Sequence, residues 1–147
     1  MTARKTMTSN TNCELCTTPG GETLWQDNLC RVVYVDDPDY PGFCRVILNR
    51  HIKEMSDLQP AERGYLMQVV FAVEEAVRDI MHPDKINLAS LGNMTPHIHW
   101  HIIPRFRQDR HFPNPIWGES KRESLLQISG ISHAQPLKQA ISARLDQ

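Results

Sequence analysis

"HIHWHIIPRF", residues 97–106, places His97, His99 and His101 at alternate positions, with Ile98, Trp100 and Ile102 between and after them. A period of two is the mark of a strand, in which residues i, i+2 and i+4 share a face. A strand over 97–103, stopped by Pro104, would therefore show three imidazoles on one side. Its apolar side would lie against a helix. One histidine on a half-exposed strand is ordinary packing; three in strict alternation call for chemistry. Two chemical readings stand beside the packing one. The first is a catalytic metal, since neutral imidazole is a common ligand. Against it, three same-face residues span roughly 13 Å of strand at about 3.3 Å each, too far for all to reach one ion. The second is nucleophilic attack by the central imidazole, with its neighbours fixing tautomer and charge.

Outward from this stretch, the pattern predicts a small α+β domain. "KINLASL" (85–91) alternates as a strand, and "GNMTP" (92–96) turns the chain into the histidines. Leu66, Val69, Val70, Val73, Val77 and Ile80 recur at spacings of three and four, which predicts a long amphipathic helix. Pro60 suits its first turn and "HPD" (82–84) its end. Before it, "CRVVYV" (30–35) and "FCRVILN" (43–49) flank a Pro/Asp/Gly turn and read as an antiparallel hairpin. A weaker helical pattern runs over 136–145. With few segments able to serve as crossovers, the sheet is expected to be largely antiparallel.

Composition narrows the function classes. In 147 residues, 16 basic side chains face 17 acidic ones, so nothing favours wholesale binding of nucleic acid or an anionic membrane. "MTARKTMTSNTN" contains no apolar run of signal-peptide length, and no window approaches a membrane span. A cytoplasmic location is the expectation, and there the four cysteines are not read as a disulfide framework. Residues 1–12 read as a flexible tail, 13–110 as the domain, and 111–147 as a C-terminal extension packed on or near it. Cys30 and Cys44 fall in strand runs and read as small buried hydrophobes. Trp100 and Trp117 read as packing residues, and Arg105 and Arg107 as solvated charges.

"GNMTPHIHWHIIPRF" resembles the Gly-Gln-x-x-x-His-φ-His-φ-His block of the histidine-triad (HIT) superfamily, with Asn93 where Gln is usual. "FCRVILNRHIKEMSDL" resembles the upstream strand-turn segment of that family, and "NCELC" the cysteine pair that opens many bacterial members. The likeness covers about residues 13 to 106. It implies a HIT-like fold: about five antiparallel strands, one long helix and a C-terminal tail, commonly paired into a homodimer. It also implies a hydrolase cleaving at the α-phosphate of nucleoside phosphoramidates or dinucleoside polyphosphates, with a purine nucleotide as substrate and no catalytic cofactor. By position, His99 would attack phosphorus and His101 would bind the phosphate. Asn93, Asp36 and Asn87 would line the substrate pocket, with Asp36 on the ribose hydroxyls. Cys13, Cys16, His51 and His97 would hold a structural zinc. Phe43 stands where many relatives carry histidine, a departure that bears on the leaving group. Two rival readings are a hydrolase using the histidines as catalytic metal ligands, and a zinc-stabilised nucleotide-binding module with little turnover.

Overall fold

The computed structural model describes residues 9–124 and 132–146, so most of the expected N-terminal tail lies outside the described residues. Its centre is a five-stranded antiparallel sheet. In chain order the strands are β1 (Glu22–Gln26), β2 (Cys30–Tyr34), β3 (Cys44–Leu48), β4 (Lys85–Ala89) and β5 (His99–Arg105). Across the sheet they run β1-β2-β3-β5-β4. Three helices accompany them: a single turn α1 (Glu14–Thr17), the long α2 (Pro60–Met81) and α3 (Ala134–Leu145). The expected hairpin is β2–β3, in register from Cys30 opposite Leu48 to Tyr34 opposite Cys44. Among the described residues no helix is long and apolar enough to cross a membrane.

Register decides which side chains share a face. Arg45 lies opposite His101 and Val33, while Ile47 lies opposite His99 and Arg31. Ala89 and Asn87 of β4 lie opposite His101 and Ile103. These residues form the triad face. The alternate residues, including Val32, Val46, Leu48, Ile86, Ile98 and Ile102, join Leu66, Val69, Val70, Val73 and Val77 of α2 in the main core. Leu137 and Ile141 of α3 enter that same core. Each fully buried Val, Leu or Ile contributes about 1.5–3 kcal/mol over an exposed one, so this layer anchors the sheet and leaves the opposite face for chemistry. Pro60 opens α2, where the Gln59 N–H donates to Glu62 Oε1 at 3.3 Å. At the other end His82 takes a left-handed φ of 50°, and its N–H donates to the Arg78 carbonyl at 3.1 Å.

Four details depart from the sequence reading. β1 and α1 were not foreseen: "ETLWQ" is short and "ELCT" is a single turn. The strand begins at His99, because the His97 N–H turns back to the Thr95 carbonyl and Ile98 divides its backbone bonds between Leu48, at the end of β3, and Ile52 beyond it. Leu48 N–H donates to the Ile98 carbonyl at 3.1 Å, and Ile98 N–H to the Ile52 carbonyl at 2.9 Å. Pro104 does not stop the strand, since it pairs with Ile86 and Arg105 pairs with Lys85. The Leu48–Ile98 bond shows that even-numbered residues of this segment turn their backbone polar groups toward β3. The last β3 pair is Cys44 with Ile102, so the N–H that Pro104 lacks has no ladder partner to lose.

The fourth departure is Arg105, read as a solvated charge and found 2% exposed. Its Nε and NH2 donate to Asp109 at 2.8 and 3.0 Å, its NH1 to Asn87 Oδ1 at 2.7 Å, and NH2 again to the Asn114 carbonyl at 2.7 Å. Burial alone would raise the Asp109 carboxyl; Arg105 and the N–H groups of Phe106 and Phe112 hold it below the usual range instead. This knot fixes the start of the C-terminal extension. Further on, the Trp25 indole N–H donates to Asp146 Oδ1 at 2.9 Å, tying the end of α3 to β1. Arg107 is exposed, as read from the sequence.

Candidate active site and metal cluster

Two sites share the triad face. The first forms where α1 and the segment after β3 meet the start of the histidine stretch. Cys13, Cys16, His51 and His97 bring their ligand atoms within 4.8 Å of one another. His97 Nδ1 lies 3.3 Å from His51 Nδ1, 3.4 Å from Cys13 Sγ and 3.5 Å from Cys16 Sγ; Cys16 Sγ lies 3.4 Å from His51 Nδ1. A zinc tetrahedron with bonds of about 2.0–2.1 Å to nitrogen and 2.3 Å to sulfur has N–N and N–S edges of about 3.3 and 3.5 Å. The donor set therefore fits a tetrahedral ion of that size, closed by four protein ligands.

Neighbouring groups orient these ligands. The His97 Nε2–H donates to the Leu48 carbonyl at 2.6 Å, which leaves Nδ1 unprotonated and aimed at the thiols. Burial pushes the His97 imidazole down from its ordinary range and so favours the neutral, ligating form. Arg31, buried beneath, donates from Nε to the Pro19 carbonyl at 2.9 Å and from NH2 to the Leu15 carbonyl at 2.6 Å. The loop carrying the cysteines is thus held from below. Leu15 packs with Val33 and Ile47 to cover this end of the sheet.

The second site begins two residues further on. The His99 Nδ1–H donates to the His97 carbonyl at 2.6 Å, so in the neutral ring Nε2 carries the lone pair. His99 and His101 meet edge to face, with centroids 4.9 Å apart. Arg45 Nε–H donates to His101 Nδ1 at 3.3 Å. That bond places the proton of neutral His101 on Nε2. Burial, helped by His99 and Arg45, pushes His101 down to about 3. It is therefore neutral at pH 7 and can donate to an oxygen without carrying charge. Phe43 and Trp117 flank it edge-on, at 5.7 and 4.9 Å. Phe43 is thus an apolar wall beside His101.

The other expected pocket residues are less gathered. Asn87 lies on the triad face, but its Oδ1 is taken by Arg105. Asn93 is exposed beside Gly92, whose φ of +79° makes the turn. Asp36 is exposed after β2, whereas Asp37 caps its own turn by accepting the Asp39 N–H at 3.0 Å. Neither Asn93 nor Asp36 makes a side-chain hydrogen bond among the described residues. Arg45 was missed from sequence, and its signal was a lone cation inside the apolar run "FCRVIL". Cys30 and Cys44 are inert, both thiols pushed up to about 12 by burial.

Comparison with known proteins gives the family. Residues 21–108 match the HIT domain family. The match spans more than half of the chain, which therefore belongs to that family. The chain is 27% identical over 108 residues to bis(5'-nucleosyl)-tetraphosphatase [asymmetrical] of Schizosaccharomyces pombe, covering 70% of this chain and 59% of the relative. It is 26% identical over 95 residues to AP-4-A phosphorylase of Mycobacterium tuberculosis, covering 60% and 49%. The chain thus matches only about half of these relatives' length. A histidine triad protein from Bradyrhizobium japonicum superposes with a TM-score of 0.70 at 24% identity, over 95% of this chain and 98% of that one. A zinc-bound histidine triad family protein from Mycobacterium smegmatis superposes at 0.62 and 20% identity, over 91% and 95%.

Proposed function

We propose that this chain is a nucleotidyl hydrolase that cleaves nucleoside phosphoramidates or dinucleoside polyphosphates at the α-phosphate. The observation that carries the reading is the tautomer of His99. Its Nδ1 proton is spent on the His97 carbonyl, and its Nε2 lone pair stands beside a neutral hydrogen-bond donor, His101. Nε2 attacks phosphorus, forming a P–N bond while the bond to the leaving group breaks with its electron pair. Water then attacks the same phosphorus, the P–N bond breaks, and the nucleotide leaves as His99 is restored. Splitting one displacement into two lowers each barrier. His101 Nε2–H binds a phosphate oxygen, and Asn93, Asp36 and Asn87 line the nucleotide. The relatives named for tetraphosphate and AP-4-A chemistry support a purine polyphosphate class of substrate.

Zinc in the Cys13, Cys16, His51 and His97 set would serve structure, clipping the N-terminal segment to the sheet. The set is closed, without an open position for substrate, which favours this role over a catalytic metal. The free edge of β4 and the half-exposed Phe71 on α2 fit pairing into a homodimer, and the charge balance fits a cytoplasmic protein without nucleic-acid or membrane partners. The test is turnover of a fluorogenic adenosine phosphoramidate by purified protein, with and without mild chelation. The expected result is hydrolysis that survives chelation. Activity that disappears on metal removal while the fold persists would favour a metalloenzyme; tight binding without release would favour a binding module.

A further inference from the structure

Arg45 sits on β3 opposite His101, on the triad face. Its guanidinium lies over the Phe43 ring, 5.5 Å from the centroid, and its Nε–H is committed to His101. Among the described residues it forms no ion pair; the acids that act on it through space are Glu14 and Asp37. Arg105 makes the contrast plain, because its guanidinium is locked by Asp109, Asn87 and Asn114. A half-buried cation without a counter-charge costs free energy, so its retention beside a reactive pair points to an anion that arrives with the substrate. Phe43 below and His101 at Nε fix the guanidinium plane. The two terminal nitrogens are left as a fork of the spacing that two phosphate oxygens accept.

We infer that Arg45 binds the leaving-group phosphate of a phosphoanhydride, and so makes nucleoside polyphosphates the preferred substrates over phosphoramidates. The inference rests on the reading of His99 as nucleophile. The α-phosphate belongs at His99 Nε2 and His101 Nε2–H, and a fork reached through His101 meets the next phosphate along the chain. When the P–O bond breaks, its electron pair stays on the bridging oxygen of that phosphate. The guanidinium is placed to stabilise the charge that develops there. A phosphoramidate releases a neutral amine, its nitrogen taking a proton from water as the P–N bond breaks, and offers the fork no second phosphate.

The test compares kcat/KM on diadenosine tetraphosphate and on adenosine 5'-phosphoramidate for the wild type, Arg45→Met and Arg45→Lys. Arg45→Met is expected to slow both substrates, because its Nε–H orients His101, but to lose at least about tenfold more kcat/KM on the tetraphosphate than on the phosphoramidate, with Arg45→Lys between. Equal losses on both substrates would overturn the inference and make Arg45 a residue that positions His101 or binds the α-phosphate. No loss on either would overturn it as well. A wild type inactive on both substrates would sink the hydrolase reading instead. Calorimetry with inorganic triphosphate then decides on Arg45: binding about tenfold weaker in Arg45→Met supports the phosphate site, and equal binding overturns it. If Arg45→Met fails to fold by circular dichroism, Arg45→Lys carries both comparisons, since it keeps the charge and lacks the fork.

Discussion

His97 and His99 are two residues apart and use opposite nitrogens. His97 gives its Nε2 proton to a carbonyl of β3 and turns Nδ1 inward to two thiols and a second imidazole. His99 gives its Nδ1 proton to the His97 carbonyl and keeps Nε2 for what lies beyond the sheet. Identical side chains thus acquire different chemistry from which carbonyl each one meets. One end of the triad closes on itself, as a structural ion requires. The other end sets His99 and His101 edge to face beside the Arg45 guanidinium, which forms no ion pair among the described residues, and the proposed attack on phosphorus rests on that arrangement.

If this division holds, substitutions at the two ends should separate activity from stability. His99→Ala should lower kcat/KM by at least about 10³-fold, while metal content by elemental analysis and melting temperature stay near the wild-type values. A parallel loss of metal would merge the two ends. Asp109→Ala tests the knot that holds the extension bearing Trp117 near His101. Breaking a buried ion pair by removing one partner costs about 3–5 kcal/mol, so the urea midpoint should fall sharply, and an unchanged midpoint would contradict the packing. Cys16→Ser should strip metal and lower the melting temperature by on the order of 5–10 °C. Below that temperature the variant should keep much of its turnover, because His99, His101 and Arg45 are not among the four cluster residues.

The smallest effect is in pH. His101 is depressed to about 3 in the folded chain, against about 6.5 when unfolded. Between those values the unfolded chain binds a proton that the folded chain does not, so the His101 contribution is full above about pH 6.5 and lost as pH falls toward 3. Urea midpoints at pH 7 and pH 5 should differ accordingly, and His101→Phe should flatten part of that difference. An unaltered profile in the variant would show that His101 is not held neutral by burial.

Much of this was legible in the residues because local pattern and burial agreed. Leu66 to Val77 repeat at helical spacing and do form the buried stripe of α2, with Ile80 partly buried at its edge; "HIHWHII" alternates, and Ile98 and Ile102 do face that stripe. "NCELC" with His51 and His97 anticipated the four-ligand cluster. What escaped depended on partners distant in sequence. Pro104 looks like a strand end until β3 is seen to stop pairing at Ile102. Arg105 looks like surface charge until Asp109 folds back onto it. Arg45 shows locally only as a lone cation in an apolar run, and its meaning comes from standing across the ladder from His101. The strand β1 was invisible because only Leu24 of its five residues is buried, leaving no alternation to read.

The most direct measurement is rapid-quench mass spectrometry of the protein mixed with diadenosine tetraphosphate, with peptide mapping of any adenylate adduct. The adduct is expected on His99 alone, formed equally well with and without a mild chelator. An adduct on His101 or on any other residue, or turnover with none and a strict dependence on metal, would contradict it.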